Sequence, residues 1–121
     1  MPEKEPFERV FEKLKPILQK YEPGKLVKHD EPGNYYLDMP YSEQYKKEVF
    51  FGAVQIKKRY VSFYLMPVYM FPELLEEISD KLRKRMQGKS CFNFTASDDQ
   101  LFVELSDLVR RSVERVGKGM A

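Results

Sequence analysis

Residues 60–71, YVSFYLMPVYMF, carry no charge in a chain of which 33% of the residues are Asp, Glu, Lys or Arg. β-branched and aromatic side chains dominate the run, and these suit a pleated, half-buried surface. Alternation puts Tyr60, Ser62, Tyr64 and Met66 on one side of a strand and Val61, Phe63 and Leu65 on the other. Two such faces predict a central strand packed on both sides, with pairing weakening at Pro67 before a helix starts at Pro72. Upstream, EVFFGAVQIKK (48–58) has the same character. A basic turn at Lys58 and Arg59 joins it to residues 60–70 as an antiparallel pair.

Two further strands precede that pair. In KLVKHDEPGNYYLDM (25–39), Pro32 and Gly33 supply the angles of a tight turn, so the segment folds back as a hairpin with Tyr35, Leu37 and Met39 opposite Tyr36 and Asp38. KSCFNFT (89–95) alternates Ser90, Phe92 and Phe94 against Cys91, Asn93 and Thr95, as a strand or edge segment does.

Helices flank the strands. Phe7, Val10, Phe11, Leu14, Ile17, Leu18 and Tyr21 form one stripe, predicting a helix over 6–22 that is kinked at Pro16. Leu74, Leu75, Ile78, Leu82 and Met86 give a second apolar side over 72–86, which Ser79-Asp80 can break by capping a new turn. The last helix begins at a capping box of Ser97 and Gln100. It carries Leu101, Leu105, Leu108, Val109, Ser112, Val113 and Val116 inward, and GKGMA (117–121) is expected to fray. The sum is an α+β fold: an antiparallel sheet of four to five strands packed against N- and C-terminal helices, in a single domain over 1–121.

Composition removes several classes of function. The uncharged run is shorter than the roughly 20 residues of a membrane-spanning helix, and the N-terminus mixes both charge signs without the apolar core of a signal peptide. A cytoplasmic protein without a membrane partner is expected. A lone cysteine and a lone histidine make neither a disulfide nor a zinc or copper cage. The net charge of +2 with both signs interspersed sets up no global field for nucleic acid, although Lys81, Arg83, Lys84, Arg85 and Lys89 form a local concentration. QGKS (87–90) ends like a phosphate loop but has Arg83 where the first glycine belongs.

Four stretches, PGNYYLDMP (32–40), VFFGAVQI (49–56), YVSFYLMPVYMFP (60–72) and RMQGKSCFNF (85–94), resemble the YdhG-like family of small bacterial proteins, a domain of unknown function. The resemblance runs over residues 7–115. It implies a compact α+β domain, and because some relatives resemble frataxin and are regarded as intracellular iron chaperones, it implies an iron carrier using surface carboxylates as an alternative function. Glu73, Glu76, Glu77, Asp98 and Asp99 are the carboxylates to consider, although helix ion pairs and helix starts also account for them.

No nucleophile, base and orienting group can be assembled from neighbouring motifs, so no enzyme and no cofactor are expected. Cys91 is read as a packing residue, since His29, the sole histidine, lies on a distant predicted strand. The tyrosines stand out, because a phenol joins an apolar body to a polar tip and suits a pocket wall or an interface. The expected function is non-enzymatic binding of a small molecule or a protein partner, which a homodimer would also satisfy. Tyr36, Tyr60, Tyr64, Met66 and Tyr69 are expected to line the site, with Lys57 or Lys89 supplying charge at its edge.

Overall fold

The chain is described here by a computed structural model covering residues 6–43 and 45–117. The expected frayed end beyond Gly117 lies outside the described residues. In chain order the elements are α1 (Pro6–Gln19), β1 (Leu26–Glu31), β2 (Asn34–Ser42), β3 (Lys47–Ile56), β4 (Val61–Leu65), α2 (Met66–Met70), a 3-10 turn (Pro72–Leu75), α3 (Asp80–Arg83), β5 (Cys91–Phe94) and α4 (Asp99–Gly117). The five strands form one antiparallel sheet in the order β1-β2-β3-β4-β5. The expected α+β architecture is therefore present.

Hairpin chemistry accounts for the order. Glu31 pairs with Asn34, so the β1–β2 loop consists of Pro32 and Gly33 alone, and Gly33 takes a φ of 81° that other residues resist. Between β4 and β5 the chain makes its helical excursion and returns to the neighbouring edge, where the Met86 bridge to Phe92 and the bond from Asn93 N to Arg85 O cover the outer side of β5. That leaves β1, short and charged, as the exposed edge.

Strand register sorts the side chains into two faces. Tyr35, Val54, Phe63 and Phe92 lie side by side across β2, β3, β4 and β5, all buried. On this face sit Leu14 and Leu18 of α1, and the Phe102 ring of α4 meets Phe94 edge-on at 5.1 Å. Burial of these large side chains, at about 25 cal/mol per Å² of apolar surface, is the main force holding helices to sheet.

Several boundaries differ from the sequence expectation. β4 ends at Leu65, and Met66–Met70 is a turn of helix with Pro67 near its start, so the strand predicted to reach residue 70 gives way five residues early. Proline lacks the N–H a ladder needs but suits a first helical turn. β4 pairs with β3 on one side and β5 on the other, and four of its five residues are buried, Tyr64 alone being half-buried. α1 stops at Gln19 but passes through Pro16, with Lys20 N still bonded to Pro16 O at 3.1 Å. Segment 72–86 does break in two, and Ser79 Oγ accepts from Leu82 N at 3.1 Å as the cap of α3. At α4 the cap is Asp98 rather than Ser97. Its carboxylate accepts from Leu101 N at 3.1 Å, and that bond, with Lys81 alongside, holds the carboxyl below its ordinary pKa.

One buried polar contact ties the α1–β1 connection to the sheet and gives a pH test. Tyr35 is fully buried and its Oη donates to Glu22 Oε1 at 2.6 Å. Burial first, and then the carboxylate, push its phenol well above the ordinary value of 10.0. Below that pH both folded and unfolded chains keep the proton and the contribution is complete. Above it the unfolded chain deprotonates first, so stability falls as pH rises. Tyr35→Phe should cost about 1–2 kcal/mol near neutrality by removing a hydrogen bond to a charged group. Its deficit against wild type should shrink in denaturant melts above pH 10, where a constant deficit would contradict the assignment.

Candidate functional site: an open aromatic sheet face

The opposite face of the sheet carries no helix among the described residues. Across it, in register, run His29, Tyr36, Ala53, Tyr64 and Cys91, one from each strand. Phe50 joins this row. Ring centroids lie 5.8 Å apart for His29–Tyr36, 4.7 Å for Tyr36–Phe50 and 6.4 Å for Phe50–Tyr64. Tyr36, Phe50 and Tyr64 are each half-buried. Ala53 is the small member, and its neighbours cover it completely.

A β-bulge places Phe50 there. Leu37 pairs with Gly52 and the next residue, Asp38, with Phe50, so Phe51 is an extra residue on β3. Strict alternation from buried Val54 would send Phe50 into the core. The inserted residue instead turns Phe51 inward, 1% exposed, and Phe50 outward. A second bulge at Pro40 on β2 accommodates a residue that cannot donate to the ladder.

Two residues further along the strands, roughly 7 Å away, lies a parallel row of amides and a hydroxyl: Asn34, Gln55, Ser62 and Asn93. Gln55 Nε2 donates to Asn34 Oδ1 at 3.0 Å and Ser62 Oγ to Asn93 Oδ1 at 2.7 Å, while Asn93 Nδ2 donates to Gln87. Lys57 Nζ donates to Gln55 Oε1 at 2.8 Å and stands 5.7 Å from the Tyr64 ring centroid. The arrangement offers flat apolar walls beside oriented donors and acceptors.

Of the residues singled out in the sequence, Tyr36, Tyr64 and Lys57 meet on this face. Tyr60 belongs to the β3–β4 connection, where its carbonyl accepts from Lys57 N at 2.8 Å, and so lies outside the strand expected to present it. Met66 opens α2 and lines a shallow depression of about 350 Å³ beside Tyr36 and Phe50. Tyr69 is on α2, more than half exposed, with Lys89 Nζ 5.8 Å from its ring centroid. The expected single lining is thus two groups joined at Met66. Phe50 and the amide row were missed, because a bulge and cross-strand register leave little trace in a linear pattern.

The remaining candidates fall into place around these groups. Cys91 sits on the open face, its Sγ 3.3 Å from Asn93 Oδ1, and burial outweighs Ser62, Tyr64 and Lys57 to raise the thiol pKa, which keeps it a poor nucleophile. His29 stands on the opposite edge strand, four strand spacings or about 19 Å away. Among the described residues no three His, Cys, Asp or Glu side chains gather in a group able to hold a metal ion. Glu73 pairs with Arg115 at 3.5 Å, Asp99 with Lys13 at 3.0 Å and Asp98 with Lys81 at 3.2 Å. In the basic concentration, Lys81 is thereby occupied and Arg83 caps Leu75 O at 2.7 Å. A depression of about 760 Å³ between α1 and the β1–β2 turn is acidic, with Lys15 held by Asp30 at 2.6 Å.

The class these features define is a two-layer α+β domain with one sheet face left open and aromatic. No family model, curated protein or solved structure matches the chain. Among the described residues no helix is long and apolar enough to cross a membrane.

Proposed function

We propose that this protein is a non-enzymatic binding module that takes a planar, hydrogen-bonding small molecule on its open sheet face. The observation that carries the reading is the row of half-buried rings, Tyr36, Phe50 and Tyr64, beside the amide row. A flat group laid along Tyr36, Phe50 and Tyr64 would meet aromatic faces and reach Gln55 and Asn93. Charge around the face is mixed in sign, with Lys28 paired to Glu48 at 2.8 Å. That mixture favours an uncharged heterocycle over a polyanion. The separation of Cys91 from His29 supports a role without covalent chemistry. The resemblance of residues 32–40, 49–56, 60–72 and 85–94 to the YdhG-like proteins supports, as part of the same proposal, membership of that family.

Adenosine is a suitable probe, being planar, uncharged and rich in donors and acceptors. Titrated into labelled protein, it should shift the amide signals of Tyr36, Ala53, Gln55 and Tyr64 saturably. Tyr64→Ala should weaken binding about tenfold, the scale of one lost stacking contact. Unchanged affinity in both Tyr36→Ala and Tyr64→Ala would remove the open face as the site.

A further inference from the structure

A second cleft, of about 490 Å³, opens under α2 at the end of the sheet. We propose that it binds a small amphiphilic anion, an aryl- or alkyl-carboxylate, with the apolar body between Met66, Met70 and Val49 and the carboxylate on Lys47. This site stands independently of the open-face reading, although Met66, Val49 and Lys47 form the wall between the two.

Three observations converge here. The volume lies in the range of small-molecule sites, and the lining is apolar or aromatic except for one cation, Lys47. Among the described residues Lys47 makes no ion pair, and no carboxylate lines the cleft. The adjacent Glu48 is taken by Lys28 at 2.8 Å, and Glu73 near Phe71 faces Arg115, whose guanidinium lies 3.9 Å from the Phe71 ring centroid. Lys89, over Tyr69, adds a second cation at the rim. The charge complement of the cleft is therefore negative.

The second observation is exposure. Only five large apolar side chains are exposed among the described residues, and two of them, Tyr45 and Tyr69, flank this one cleft at 39% and 54%. Both rings keep part of their surface in water, and a ligand between them would cover more of each. Third, the interior walls are methionines, whose unbranched, polarizable side chains adapt to an inserted apolar group.

The test uses protein with 13C-labelled methionine methyl groups, titrated separately with 4-phenylbutyrate and with the uncharged 4-phenylbutanol. With phenylbutyrate the Met66 and Met70 methyls should shift saturably, while Met39 and Met86 stay in place. The carboxylate should bind about tenfold more tightly than the alcohol, as a charge-assisted contact predicts. Lys47→Gln, at an exposed position, should bring the carboxylate down to the level of the alcohol, and Tyr69→Ala should weaken both alike. Tyr36→Ala and Tyr64→Ala should leave the titration unchanged, which separates this site from the open face. Absence of a saturable Met66 and Met70 shift at millimolar phenylbutyrate, or a carboxylate preference that survives Lys47→Gln, would overturn the proposal.

Discussion

Phe63→Ala is expected to lower the unfolding free energy by about 3–5 kcal/mol, a large share of the roughly 5–15 kcal/mol that a domain of this size has. Phe63 is fully buried and stands in register between Val54 and Phe92, at the centre of the face covered by helices. Removing its ring leaves a cavity that three strands and α1 can only partly close. Tyr64, one residue on, points the other way onto the open face. Its replacement by alanine should cost about 1 kcal/mol, the usual scale for a half-exposed position. Urea melts should show the midpoint falling steeply for Phe63→Ala and slightly for Tyr64→Ala, with unchanged slopes. If Tyr64→Ala proved equally damaging, the open face would have to be covered in solution by another layer or another chain.

The second large effect is expected at Gly52. A Cβ built there would sit 2.8 Å from the Tyr64 carbonyl oxygen and 3.2 Å from Leu18 Cδ2. The first of these neighbours is backbone in a paired strand and cannot swing aside. The second is the α1 side chain that covers the bulge. Gly52→Ala should therefore destabilise by about 1–3 kcal/mol, overpacking outweighing the few tenths gained from a stiffer unfolded chain. Gly52→Val adds a branch at the same point and should be worse. Gly117, with nothing within 4 Å of an added Cβ, provides the control, and Gly117→Ala should be neutral or mildly stabilising. A harmless Gly52→Ala would mean that α1 rides farther from β3 than it does here.

Much of the architecture was legible because short-range chemistry dictates it. Pro32-Gly33 forces a two-residue turn, the β-branched and aromatic runs at 49–56 and 61–65 demand pairing, and the stripes of α1 and α4 demand something to cover. The break at Ser79 was legible for the same reason, since a side-chain cap acts within three residues. Boundaries governed by competing local terms were less so. Residues 66–70 have strand composition, yet Pro67 cannot join the ladder and the chain turns helical instead.

The site was only partly legible. Tyrosines on alternating positions marked Tyr36 and Tyr64, and the face they share is the one that remains open. Phe50 reaches that face through a one-residue insertion, and Asn34, Gln55, Ser62 and Asn93 align only through strand register. Met66 and Tyr69 leave the row because the strand that was to carry them ends early.

The sequence by itself determined which segments become strands and helices, since turn residues, caps and hydrophobic period act over a few positions. Only the tertiary structure decided which sheet face the helices cover, where a single bulge sends Phe50, and that Lys47 faces a methionine-walled cleft with no acid among the described residues of its lining. Those outcomes follow from register and packing between segments far apart in the chain, and such relations have no local spacing from which to be read.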